Sequence, residues 1–481
     1  MVFLGWEIVG LPDTTVKESK ERIKTAIKNS IANLQSRKYV INLSPADIRK
    51  EGSLLDLPIA TAILMEIGII VKRELNNVVV IGELSLDGEV KPVKSALAIC
   101  IEAKKLNFKK VILPKENAKE ASLVNGIEII GVSSISELVY FINNKSDTKY
   151  ISNNSEIILK EADEFEFDFA NIKGQNDAKR GLEIAVAGQH NVIMSGIPGS
   201  GKTLLSKSII SILPRLSYEE ILEILRIRSI TENTYTNVGA SLEVTRPFRA
   251  PHHSITQMAL IGGGKYPKPG EITKANKGIL FLDEITEFKD GILEGLREPL
   301  EDKEIMISRF NNSVKYPCDF MLVAAMNPCK CGFLGSKNRK CTCSRLEIEK
   351  YRKKLSEPFL DRIDIHLELN SISISEFSSD KAETSKEIRK RVIDARELQF
   401  NRYKGEKFNV NSLLSQNEIK KYCKINSKST ELLNKMLSNN LITIRTYYKI
   451  IKVARTIADL EKCADIKYEH ILEAVHYRNI K

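Results

Sequence analysis

The sequence contains no apolar run long enough to cross a bilayer: its longest stretches, such as Ile63 to Val71, carry Glu66 and fall well short of the roughly 20 residues a spanning helix needs. Nor does Met1 to Trp6 carry the cationic start of a secretory signal. These two absences argue against a helical membrane protein and give the expectation of a cytoplasmic chain with no membrane partner. No self-similarity recurs at solenoid spacing and no stretch is compositionally extreme, which excludes repeat arrays, collagen and low-complexity chains. Without a secretory route, the eight cysteines do not read as a disulfide framework.

What is present fits folded, soluble domains. At roughly 100 to 200 residues per domain, 481 residues imply two to four of them. The net charge of +11 favours polyanionic partners, nucleic acid above all, although its scatter along the chain also fits a lysine-rich proteome.

Polar punctuation sets the boundaries. Asn143 to Glu156 carries asparagine, serine and charge with only Tyr150 and Ile151 as large apolar residues, so it reads as a linker. It divides an N-terminal domain (1–142) and linker (143–160) from a nucleotide-type α/β domain (161–374) and a helical C-terminus (375–481). In the first domain, strand-like runs at Val78 to Ile81, Val111 to Leu113 and Ile127 to Ile130 alternate with helical periodicity at Lys17 to Leu34, Leu57 to Gly68 and Lys94 to Leu106. After the linker, Asn191 to Ser195, Gly278 to Leu282 and Met321 to Ala325 are apolar almost throughout, as parallel strands buried on both faces should be. A doubly wound α/β sheet is the expected fold class. From about Ser375 helical periodicity takes over, and Tyr447, Ile451, Ala454 and Ala458 mark one face of a helix that Thr443 would cap, giving a C-terminal helical lid.

Gly196-Ile197-Pro198-Gly199-Ser200-Gly201-Lys202-Thr203 fits G-x-x-x-x-G-K-[ST], follows an apolar strand and precedes the helical run Leu204 to Leu213. Its glycines let backbone amides turn inward around phosphate oxygens, Lys202 reaches the β- and γ-phosphates, and Thr203 holds magnesium. The strand Gly278 to Leu282 ends in Asp283 and Glu284. Asp283 would bind magnesium and Glu284 would polarise the attacking water, so the pair predicts ATP hydrolysis. Strand Met321 to Ala325 leads into Met326-Asn327-Pro328, where Asn327 could orient that water as a first sensor. Arg362, in Pro358 to Asp364, and Arg445, in Thr443-Ile444-Arg445, could each neutralise transition-state charge; a surface salt bridge is the plainer role for either.

Cys329-Lys330-Cys331 and Cys341-Thr342-Cys343 form two C-x-C pairs around a loop holding Gly332 and Gly335, with Lys337, Arg339 and Lys340 near its end. Four thiolates can close a structural tetrahedral zinc site with no position left for water. The plainer reading is four reduced cysteines in a basic hairpin. His252 and His253 are adjacent and diverge on most backbones, so a packing or nucleotide-sensing role suits them better than metal.

Taken together these elements resemble the AAA+ ATPases, specifically the magnesium-chelatase-like branch known as the ComM or YifB family. The resemblance spans nearly the whole chain: I-V-G-L-P-D-T-T-V-K-E-S at Ile8 to Ser19, N-L-S-P-A-D at Asn42 to Asp47, K-E-G-S-L-L-D-L-P-I-A at Lys50 to Ala60, and G-E-L-S-L-D-G-E-V at Gly82 to Val90. It continues through R-P-F-R-A-P-H-H-S at Arg246 to Ser254, A-A-M-N-P-C at Ala324 to Cys329 and V-A-R-T-I-A-D-L at Val453 to Leu460. It implies a homohexameric ring, an insertion between the two nucleotide motifs, and DNA helicase activity driving branch migration in natural transformation. It also makes Arg362 an inter-subunit finger and Arg445 a second sensor. Within the insertion, Gly262-Gly263-Gly264-Lys265-Tyr266-Pro267-Lys268 pairs glycine with cations and an aromatic, which suits either strand gripping or a plain surface turn.

The N-terminal domain resembles the Lon protease fold, with V-I-L-P-K-E-N at Val111 to Asn117 its most recognisable run. Laid on the protease motif, Leu54 takes the serine position and Leu97 the lysine position, while Ser53 and Lys94 are displaced, so no proteolysis is expected. Family members carry a further segment before I-V-G-L-P, so an initial strand is expected to be missing at that domain's edge. Two other functions fit the ATPase core: a chelatase-type motor inserting magnesium into a porphyrin, and a nucleotide-gated scaffold. The positive charge, the cysteine hairpin and the fused N-terminal domain favour DNA over the first, and Glu284 argues against the second.

Overall fold

The computed structural model describes residues 5–31, 34, 38–45, 50, 52–71, 75–144, 165–231, 244–264, 267–309, 312–336, 339–369 and 382–478. Most of the expected linker, the 374/375 boundary, Ala46 and Asp47, Lys265 and Tyr266 of the glycine-rich loop, and Lys337 lie outside them. The chain divides into two units, residues 1–160 with 218–244 and residues 161–217 with 245–481.

In the first unit, Val78–Val80, Lys110–Pro114 and Glu128–Val132 form a parallel three-stranded sheet in that order. Helix Thr14–Ser30 starts where the Asp13 carboxylate accepts from Val16 N at 2.7 Å, and it turns Val16, Ile23, Ala26 and Ile27 inward. Helices Asp56–Glu66 and Ala96–Lys105 fall on the predicted periodic runs, the first starting one residue earlier than expected and both ending sooner. At the start of Asp56–Glu66, the fully buried Asp56 carboxylate accepts from Arg22 Nε at 3.0 Å and Leu84 N at 3.3 Å, the charge-assisted pairing a buried acid requires. Two short pairings absent from the sequence reading complete the unit: Trp6–Val9 with Tyr39–Asn42, and Glu83–Leu84 with Val90–Lys91. Helix Tyr218–Thr231, which follows the phosphate-loop segment in sequence, belongs here. It packs on Ala96–Lys105, Ser95 N donates to Ser229 O at 3.1 Å, and the Tyr218 hydroxyl accepts from Asn125 N at 3.1 Å.

The second unit is built on a five-stranded, all-parallel sheet ordered Ile365–Leu369, Val192–Gly196, Met321–Met326, Ile279–Leu282, Phe248–Arg249. Its three central strands are largely apolar because both faces are covered, and successive residues serve opposite faces. Val192, Met194, Ile279, Phe281, Met321 and Val323 join one core; Ile193, Leu280, Leu282, Leu322 and Ala324 join the other. The first core runs without a break into the C-terminal helices through Val392, Ala395, Ile450, Ala454, Ile457 and Ile471. Helix Ile444–Leu460 begins as the sequence predicts, with Thr443 Oγ1 accepting from Thr446 N at 3.2 Å and Ile451, Ala454 and Ala458 buried.

Candidate functional site

Strand register fixes the chemistry. Ser195 pairs with Met326 and Leu282 with Ala324, so the phosphate loop, Asp283–Glu284 and Asn327 leave the same, carboxyl-terminal edge of the sheet. Gly199 and Gly201 have φ of +80° and +90°, and a side chain at either would be strained in the loop. Gly201 opens helix Lys202–Ser208. Lys202 Nζ folds back, donating to Gly196 O at 2.6 Å, Ile197 O at 3.1 Å and Asn327 Oδ1 at 3.1 Å. Burial pulls its ammonium below the ordinary lysine range, against the opposing charges of Asp283 and Glu284. Thr203 Oγ1 donates to Asp283 Oδ2 at 3.1 Å, bringing together the two oxygens suited to a hard cation. Ser200 is buried within the loop, whereas Pro198 and Gly199 are exposed.

Glu284 sits in a left-handed turn, φ +49°, held by its own N–H donating to Asp283 Oδ1 at 3.0 Å and its carbonyl accepting from Glu287 N at 2.7 Å. Its carboxylate is exposed, and Oε2 lies 3.7 Å from His253 Nδ1. The His252 and His253 rings are 4.0 Å apart, and His253 meets Phe288 edge-on. The histidines therefore pack beside the acid that would activate water.

The two arginines lie elsewhere. Strand Ile365–Leu369 runs parallel to Val192–Gly196 with Ile365 opposite Val192, so Arg362, which precedes it, lies at the amino-terminal end of the sheet. Five residues at about 3.3 Å each separate that end from the phosphate loop. Arg362 Nη2 pairs with Glu301 at 2.9 Å, Nη1 donates to Pro358 O at 2.6 Å, and Nε donates to Arg297 O at 3.3 Å. Arg445 is exposed in the first turn of Ile444–Leu460 and makes no hydrogen bond or ion pair among the described residues. Its neighbour Thr446 accepts from Arg478 Nη2 at 3.3 Å, and Arg478 Nη1 donates to the carbonyl of Ile363. One turn along the same helix, Lys449 Nζ bonds Asp364 Oδ1 at 2.6 Å. Both arginines thus belong to the amino-terminal end, where the Lys449–Asp364 ion pair joins the helix that carries Arg445 to the segment that follows Arg362. Burial alone would raise the Asp364 carboxyl, yet Lys449 and His190 hold it well below its ordinary range.

The four cysteines converge as their spacing suggests. Cys329 Sγ is 3.4 Å from Cys331 Sγ and 3.7 Å from Cys341 Sγ, and Cys331 and Cys341 are 3.5 Å apart. At the base of the glycine-rich loop, Gly262–Gly263 pair antiparallel with Lys268–Pro269. Tyr316, on the neighbouring hairpin Glu304–Arg309/Asn312–Pro317, donates its hydroxyl to Pro267 O at 2.8 Å. In the N-terminal unit, Leu97 is buried, Lys94 is exposed and the Ser53 hydroxyl is bonded to Glu83.

Sequence reasoning missed two contributors. Gln175, with φ +56° at the start of helix Asn176–Gly188, donates from Nε2 to Ser200 O at 3.4 Å. Tyr351 receives a 2.6 Å hydrogen bond from Thr286, two residues past Glu284, and also bonds the Asn327 backbone. The Gly174-Gln175 pair before a periodic helix was a visible signal for the first; nothing local marks the second.

Comparison with known proteins agrees along the chain. Residues 168–377 match the family described as magnesium chelatase, subunit ChlI; residues 3–117 match subunit ChlI of Mg-chelatase; and residues 382–478 match the ChlI C-terminal family. The competence protein ComM of Haemophilus influenzae is 38% identical over 98% of this chain and 92% of its own length. The protein YifB of Escherichia coli is 38% identical over 99% and 92%. The magnesium-chelatase 38 kDa subunit of Cereibacter sphaeroides is 25% identical over 34% of this chain and 53% of its own length. With the glycine-rich loop, Asp283, Glu284 and Asn327 meeting at one sheet edge in a chain so matched from end to end, the protein belongs to the ComM/YifB family, within the magnesium-chelatase ChlI group of AAA ATPases.

Proposed function

We propose that this chain hydrolyses ATP as a homohexameric ring and uses the energy to move along DNA, as a helicase promoting branch migration during natural transformation. The observation that carries the reading is the split of the chemistry between the two ends of one sheet. Lys202, Thr203, Asp283, Glu284 and Asn327 hold one end, Arg362 and Arg445 the other. A single chain cannot bring its own arginines across that distance, whereas a neighbour in a ring presents one end to the other. In this reading Lys202 holds the β- and γ-phosphates, Glu284 accepts the proton of the attacking water and Asn327 orients that water. Arg362 is the finger and Arg445 the second sensor, both acting on the next subunit's nucleotide. Magnesium, when bound by Thr203 and Asp283, would neutralise phosphate charge.

DNA as the track is supported by the competence relative, the +11 charge and the anchored pairing of Gly262–Gly263 with Lys268–Pro269. The porphyrin-chelatase alternative draws on relatives that match only about a third of the chain, and a nucleotide-gated scaffold would not need Glu284. The test is ATP turnover with and without branched DNA, together with unwinding, in wild type, Lys202→Ala and Glu284→Gln. DNA-stimulated turnover and unwinding are expected in the wild type alone, with the glutamine variant still binding ATP; turnover indifferent to DNA would sink the motor reading.

A further inference from the structure

Within the nucleotide-binding unit, the cysteine cluster is joined to the phosphate loop, to Asn327 and to the turn that carries Glu284. A tetrahedral ion with metal–sulfur bonds of about 2.3 Å sets its thiolates about 3.8 Å apart. The separations of 3.4, 3.7 and 3.5 Å are close to that figure, and all four sulfurs lie within 4.8 Å of one another. The same spacing is too long for disulfides, whose sulfurs sit about 2.0 Å apart. Four thiolates in this geometry select zinc or a single iron among common metals.

The surroundings give the cluster a purpose. Gly332 follows Cys331 with φ +83°, its N–H donating to Cys329 O at 3.0 Å, and a Cβ there would stand 2.8 Å from Pro198 Cγ. The turn around the first cysteine pair therefore presses on the phosphate loop. Cys329 is buried and lies two residues beyond Asn327, whose side chain accepts from Lys202. Past Cys343, Ser344 caps helix Arg345–Arg352 with a full capping box. Tyr351 on that helix receives the hydrogen bond from Thr286 beside Glu284. Loop, sensor and acid turn are thus all fastened to one small knot.

We propose that Cys329, Cys331, Cys341 and Cys343 bind one zinc ion per chain, and that this ion braces Pro198 and Asn327 so that metal and nucleotide favour each other's binding. The coupling half rests on the ATP reading; the metal half does not. Because linkage is reciprocal, nucleotide must tighten zinc as much as zinc tightens nucleotide.

The experiment uses the full chain under reductant. Bound metal is measured by elemental mass spectrometry, and cobalt exchange is followed by the visible absorption of tetrahedral thiolate-bound cobalt. One zinc per chain is expected in the wild type and none in Cys341→Ser/Cys343→Ser. Zinc affinity, by competition with a chromogenic chelator, is expected to rise about tenfold or more with saturating ADP. The rise should vanish in Pro198→Ala, which keeps all four thiolates. Absence of zinc from the wild type, or iron in its place, overturns the site; zinc affinity indifferent to ADP overturns the brace. If the double cysteine variant fails to fold, wild-type stoichiometry and Pro198→Ala still decide. No arm contains DNA or measures turnover, so a failed motor reading leaves these results intact, whereas a wild type that binds no ADP sinks the ATP reading and the brace together.

Discussion

The two ends of the parallel sheet are made of different materials. At the carboxyl end the working groups stand on loops: Glu284 is exposed, glycines carry the phosphate turn, and Lys202 reaches only neutral oxygens. At the amino end the charges are locked together: Asp364 meets Lys449, Arg478 spans two elements, and Arg362 is tied to Glu301. One end leaves its functional groups open to a ligand. The other is a rigid mount, suited to presenting arginines at a fixed spacing.

The hardest test of this contrast is Arg362→Ala. Turnover in assembled protein should fall by about 10³ to 10⁵ while nucleotide affinity stays unchanged, because the arginine serves a neighbour's site. Mixing Arg362→Ala with Lys202→Ala chains should restore part of the turnover, since each supplies the end the other lacks; a mixture as dead as its components would break the comparison.

Glu284→Gln comes next, with an expected loss of about 10² to 10⁴ in turnover and retained ATP binding in a fluorescent-nucleotide titration. Asp364→Asn probes the mount. It leaves Lys449 buried without its partner, so unfolding stability by chemical denaturation should drop by about 3 kcal/mol.

The smallest effect is in pH. Burial, reinforced by the Arg478 and Lys449 charges, pushes His366 down to about 3. The unfolded chain, with an ordinary histidine near pH 6.5, then binds more protons than the folded one between those values. Stability contributed by the neutral ring is full above about pH 6.5 and declines on acidification toward pH 3. Melting temperatures followed from pH 7 to pH 5 should fall by a few degrees, and less steeply in His366→Asn.

Much of the carboxyl end was legible in the sequence because its signals are local: an apolar run, a glycine-rich turn, acids at a strand end. The amino end was not. Strand Ile365–Leu369 interleaves His366 and Glu368 with apolar residues, and Phe248–Arg249 is too short to show a period. Pairings such as Lys449 with Asp364 or Tyr351 with Thr286 join residues far apart in the chain, and no periodicity encodes them. Cysteine spacing suggested that the four sulfurs converge, but only the fold brings Gly332 against Pro198.

Helix Tyr218–Thr231 has a consequence for dissecting the protein. The polypeptide leaves the nucleotide-binding unit after Ser217, contributes this helix to the N-terminal unit, and re-enters by Thr245. Cutting within 145–160 would therefore not liberate two free halves. Expressing residues 161–481 alone would strip the helix of its seat and leave Ile221, Ile224, Leu225 and Ile227 facing water, a recipe for clumping that a solubility failure would easily disguise as loss of catalysis.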